Sequence, residues 1–137
     1  DVIQMLNGCI GGLVAITAEP LMPSPLAAIL IGAVGGVIVV YGTKLLFSLK
    51  IDDVVGAVPA HLFAGIWGTL AVPITNPDTS FGTQLLGVIS INAFVFVVAY
   101  IVWSIMKATV GIRLSKEGET KGTDVTETGV IAYAIRD

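Results

Sequence analysis

The sequence predicts an all-α membrane protein of four transmembrane helices followed by a short polar tail on the cytoplasmic side. Three observations predict it. Hydrophobic residues make up 55% of the 137 and charged residues only 12%, about half the charged share of an ordinary soluble domain. The charges are segregated: residues 2–18, 20–43, 54–77 and 79–106 hold no Asp, Glu, Lys or Arg. A helix needs about 20 apolar residues to cross a hydrocarbon layer of about 30 Å; three of these stretches exceed that length and the first is borderline. Finally, if the four stretches run antiparallel, all seven Lys and Arg residues (44, 50, 107, 113, 116, 121 and 136) fall on one side. The positive-inside rule makes that side cytoplasmic.

The elements follow in order. The first span covers about residues 2–18 and ends at Glu19 and Pro20; its Gly8 and Gly12 are spaced to admit another helix closely. Pro20, Pro23 and Pro25 force a turn, with Ser24 as N-cap and Pro25 at the first helical position. The second span, about 25–47, repeats the close-approach spacing at Gly32 and Gly36. Asp52 and Asp53 then open a third span, 53–75, as capping acids facing the positive end of the helix dipole. Asn76, Pro77 and Asp78 break the chain, Ser80 is the next cap, and the fourth span covers about 80–110. Residues 1–111 thus form the membrane region and 112–137 a glycine-punctuated tail, too short to build a core of its own. The chain starts at Asp1 without a basic leader and enters an apolar segment at once, which reads as a fragment or processed piece.

Composition also excludes functions. The net charge of −3 sits in loops and ends, and no basic, aromatic-studded face suits nucleic acid. The single cysteine, Cys9, rules out an intrachain disulfide. Enzyme and metal-site templates are missing: there is no HExxH, no Cys/His ligand spacing and no GxSxG. No catalytic residue, metal or cofactor is expected.

One residue stands out. Among Asp, Glu, Lys, Arg and His, His61 is the only one in the interior of a span, about seven residues into the third helix. Such groups are costly in a bilayer and face a bundle interior or an aqueous path. A hydrogen bond to a neighbouring helix is the competing role, and function is favoured over it. Helical spacing places small residues, Ala57 and Gly65 among them, on the face of His61 and makes them candidate pore-lining positions; Trp67 is a further one. Gly56, Ala60, Ala64 and Gly68 recur every four residues as a ridge on an adjacent face, which reads as packing. Ser90 and Asn92 on the fourth span are expected to bond across helices.

The stretch from Asp52-Asp53 through His61, Gly65 and Trp67 to Gly68 resembles the ammonium transporter (Amt/MEP/Rh) family, in which paired acids precede the second pore histidine by nine and eight positions. The opening Asn7-Gly8 through Thr17-Ala18 is similar to a family helix, and the tail around Gly111, Arg113, Gly122, Asp124, Gly129 and Tyr133 to its cytoplasmic signature. The resemblance covers nearly the whole chain. It implies an eleven-helix protomer in a homotrimer, with this chain supplying the last four helices and a missing N-terminal half the first histidine. It also implies ammonium or ammonia as cargo in a plasma-membrane protein, with His61 in a neutral imidazole relay that passes ammonia after the ion is deprotonated. Gly122, Asp124, Gly129 and Tyr133 would be regulatory tail residues, docking on neighbouring protomers or a PII-type regulator. Three positions depart from the family pattern: Gly56 stands where many members have an acid, and Thr128 and Val130 replace the tail's usual His and Glu, against conventional PII regulation. The competing class is a small four-helix structural or accessory membrane subunit, which the upstream sequence would separate from a transporter.

Overall fold

The computed structural model describes residues 2–132. All regular structure among them is helical: α1 (Val2–Ile16), α2 (Pro25–Ser48), a π-helical turn (Val58–Phe63) running into α3 (Ala64–Thr75), α4 (Phe81–Thr109), a short α5 (Lys116–Lys121) and a second π-helical turn (Asp124–Thr128). The chain divides into two units, Asp1–Ala93 and Phe94–Asp137.

Local chemistry explains the helix ends. The Ser24 hydroxyl accepts from the Ala27 amide at 3.3 Å, and Pro25 opens α2, as the sequence predicts. Ser80 caps α4 through the Thr83 amide at 3.2 Å. α1 stops at Ile16, two residues short of the expected span, because Thr17 turns its amide and hydroxyl back onto the Val14 carbonyl. Its 15 residues rise about 22 Å as a helix, whereas α2, the continuous helix Val58–Thr75, and α4 are long and apolar enough to cross a membrane.

In the first unit, α1, α2 and the third helix pack together. Hydrocarbon gives helices little hydrophobic reason to associate, so close backbone approach has to hold them. Gly12 meets Gly32, and the carbonyl of Gly8 lies under Gly36; Gly11 and Gly35 are closer still, since a Cβ on Gly35 would come 2.7 Å from the Gly11 carbonyl oxygen. The ridge of Gly56, Ala60, Ala64 and Gly68 is buried throughout. Ala60 and Ala64 pack with Val39 of α2, and Ala15 of α1 packs with Ile31 and Ala71. Trp67 donates its indole N–H to the Ile31 carbonyl at 3.0 Å. At the ends distal to the Asp52–Asp53 turn, Asn76 donates to the Glu19 carboxylate at 2.8 Å and so ties two loops 57 positions apart. α4 buries none of its residues and is apolar all round, the pattern of a helix made for lipid or for other helices. Asn92 donates to the Val88 carbonyl of its own helix at 2.7 Å rather than across to a neighbour, which spends one of its amide N–H groups one turn away.

Candidate functional site

The site is built from the turn between α2 and the π-helical segment. The third helix begins at Val58, not at residue 53, and the reason is local. Gly56 has φ of +72°, a left-handed conformation that breaks the helix and that side-chain-bearing residues avoid. The Asp53 carboxylate then reaches forward, one oxygen accepting from the Ala57 amide and the other from the Val58 amide, both at 2.9 Å. These are the orphan donors that open a helix. Asp52 is exposed and makes no such bond among the described residues, so Asp53 does the capping. From the facing helix, Asn7 donates its side-chain amide to the Val55 carbonyl at 2.8 Å, on the residue before the glycine.

His61 follows in the first turn of the helix rather than two turns deep. The π geometry, with its i→i+5 bonds, widens this turn; the Ala64 amide reaches back to the Pro59 carbonyl. Turns of this kind are frequent where a helix carries a functional residue. The wider turn also alters the helical phase, so Ala57 does not share the surroundings of His61. The imidazole is exposed and lines an open concavity of about 310 Å³ with Leu62, Gly65, Ile66 and Thr69 on its own helix and Gln84, Val88 and Asn92 among those opposite. Thr69 donates its hydroxyl to the Gly65 carbonyl at 2.9 Å and Asn92 one amide N–H to the Val88 carbonyl, so each spends a donor on its own helix and keeps its oxygen as an acceptor. His61 is the one ionisable group lining the concavity, and its ring makes no hydrogen bond among the described residues. A neutral imidazole there offers one donor and one acceptor to whatever enters.

Of the residues singled out from sequence, the fold therefore brings Gly65 to His61. Ala57 lies on the turn capped by Asp53, and Trp67 spends its N–H on α2. Asn7 was visible only as part of a motif; nothing in the sequence signalled its bond to a carbonyl 48 positions away.

The tail unit has its own order. Ser115 caps α5 through the Gly118 amide at 3.1 Å. Gly122 and Gly129, at φ of +97° and +68°, bracket the second π-helical turn. The Asp124 carboxylate accepts from the Ala132 amide at 2.9 Å, which closes the turn. Tyr133 lies outside the described residues. Arg113 holds Glu119 with two hydrogen bonds, the Nη2 contact at 3.2 Å. The hydrogen bond from Arg113 keeps the Glu119 carboxyl below the ordinary carboxylate range, and the charge of Arg113 adds to it. A carboxyl lowered in the folded state stabilises it at pH values above its unfolded pKa, and that contribution is lost as pH falls through the lowered value. A side-chain NMR titration of Glu119 should therefore show a midpoint below that of an isolated glutamate. Arg113→Ala should return it to the ordinary range, and high salt should weaken the shift. A midpoint unmoved by Arg113→Ala would mean that the pair does not form in solution.

Comparison with known proteins bears on the family. The model of the Ammonium Transporter Family matches residues 1–133. The Synechocystis protein sll1017 is 40% identical over 131 residues, covering 94% of this chain and 30% of that protein. Ammonium transporter Amt2 of Archaeoglobus fulgidus is 35% identical, covering 97% and 33%, and the ammonium transporter of Bacillus subtilis 31% identical, covering 93% and 36%. The chain thus spans about a third of the length of these relatives. A match of this extent, on a chain with three membrane-length apolar helices, disfavours an accessory subunit and describes a multi-pass membrane protein of a transport family. The chain belongs to the ammonium transporter family.

Proposed function

We propose that the chain forms part of a transmembrane conduit for ammonium or ammonia and that His61 is its conducting residue. The observation that carries this reading is the placement of the only histidine as the sole ionisable group on an open concavity between two apolar helices. A hydrated ammonium ion cannot enter an apolar passage bare, whereas ammonia can. An imidazole that donates with one nitrogen and accepts with the other supports the passage of ammonia, and a second imidazole across the concavity would carry the released proton onward. That second imidazole belongs to the N-terminal helices of an eleven-helix protomer, in which α1 with its flanking turn counts as a fourth span beside α2, the third helix and α4. The assembly is a homotrimer in the plasma membrane, with the tail of residues 112–137 on the cytoplasmic side, where the Lys and Arg residues gather. Gly122, Asp124, Gly129 and Tyr133 would shape a tail surface that docks on a neighbouring protomer. Thr128 and Val130 argue against a conventional PII-type partner.

The test is reconstitution in liposomes with an ammonium-driven internal pH signal. The native-length protein should give flux well above empty liposomes. Residues 1–137 alone should give none, because four helices cannot surround a passage that two repeat halves build. Silence from the native-length protein would overturn the reading; a robust flux from residues 1–137 would overturn the need for the second half.

A further inference from the structure

The orientation of His61 has no visible source in its own ring. Among the described residues the imidazole makes no hydrogen bond, its side chain is exposed, and the glycine one turn on, Gly65, gives it little to lean against. Its direction is therefore set by the backbone of the π-helical turn that carries it. That turn is held from two sides. Asp53 fixes its first amides from within the same segment. The other hold comes from α1. Asn7 donates to the Val55 carbonyl at 2.8 Å, and its amide occupies the space into which any side chain on Gly56 would project. Gly56 in turn donates to the Asp53 carbonyl and accepts from the Ala60 amide, so its left-handed conformation fixes where the first helical turn starts. Because α1 is locked to α2 by backbone contacts, Asn7 is itself carried on a rigid support.

We propose that Asn7 is a positioning residue for conduction: its amide, reaching from α1 to the Val55 carbonyl, pins the Gly56 turn and thereby aims His61 into the concavity. The inference rests on His61 being the conducting residue. It assigns a role in transport to a side chain that touches neither the concavity nor the cargo. A neighbour that only helped the protein fold would change how much protein reaches the membrane. One that aims a reacting group changes the turnover of each molecule, since a misplacement of about 1 Å can cost up to about a hundredfold.

The experiment uses the native-length protein and measures uptake of methylammonium, normalised to membrane abundance, for Asn7→Asp, Asn7→Ala, His61→Ala and, as a control on the exposed face of α1, Cys9→Ser. Asn7→Asp keeps the size of the side chain but presents an oxygen to the Val55 carbonyl in place of an N–H. Both Asn7 variants should lower the maximal rate per molecule about tenfold, with the half-saturating concentration and the abundance close to the parent, and Cys9→Ser should match the parent. If His61→Ala is silent while both Asn7 variants keep the parental rate per molecule, or lose uptake only in proportion to abundance, the positioning role is overturned and the conduction reading stands. If His61→Ala itself transports at the parental rate, the conduction reading falls and takes this inference with it.

Discussion

Replacing His61 by alanine is expected to reduce uptake of an ammonium analogue by about a hundredfold or more per molecule, the scale on which positioned proton-sharing groups contribute, while insertion and abundance stay at parental levels. The two halves of this expectation rest on different features. The loss follows from chemistry: no other ionisable side chain lines the concavity, and the hydroxyl and amide groups of Thr69 and Asn92, each with a donor spent on its own helix, cannot take up and release a proton as an imidazole does. The retained fold follows from packing. The buried face of the third helix is the ridge of Ala60, Ala64 and Gly68, and His61 lies off it, so truncation leaves no cavity and no unpaired buried partner. Leucine should behave like alanine. Glutamate should retain part of the flux, because a carboxyl group can also share a proton with a facing imidazole. Uptake in whole cells, with membrane abundance read in parallel, checks all three. Parental flux in the alanine variant would make His61 a surface residue and end the conduction reading.

The second large effect is on assembly. Gly35→Leu should destabilise the helix cluster by about 3 kcal/mol, whereas Gly8→Ala should be neutral. A Cβ at Gly35 would sit 2.7 Å from the Gly11 carbonyl oxygen and 2.8 Å from the Ala15 Cβ; the first obstacle is backbone, which cannot rotate away as a side chain tip can. A Cβ at Gly8 meets nothing within 4 Å. Thermal unfolding of the purified protein in detergent, followed by helical content and by protease susceptibility, separates the two. A Gly35→Leu protein as stable as the parent would mean that the α1–α2 contact is looser than described.

Sequence and structure divide the credit along physical lines. Membrane residence was legible because transfer of apolar segments into hydrocarbon depends on composition and length alone, and charge-free stretches display both. Helix ends at Ser24 and Ser80 were legible because capping is a contact between near neighbours in the chain. So was the buried ridge of the third helix, whose four-residue spacing survives into the fold. His61, marked in the sequence as the histidine of an apolar span, lies on the open concavity, and its part in conduction is a proposal. What failed to show was anything that depends on contacts far apart in sequence or on a single departure from helical geometry. The paired acids marked a helix start five residues too early, because only the left-handed Gly56 and the forward reach of Asp53 place the first turn at Val58. The π-helical turn then moved Ala57 away from the surroundings of His61. The glycine spacings identified α1 and α2 as partners for close approach, but the tightest crossing is at Gly11 and Gly35, beside the motif glycines rather than on them. Membrane partition and local capping are decided one segment at a time, so the sequence by itself determined that this chain enters a bilayer as apolar helices and that its one histidine lies in the third of them. Which faces meet, which acid caps, that Trp67 turns to α2 and that Asn7 reaches the Val55 carbonyl were decided only by tertiary structure, because each depends on the distance between atoms that the chain brings together from 36 or 48 positions apart or on a turn whose phase no periodicity announces.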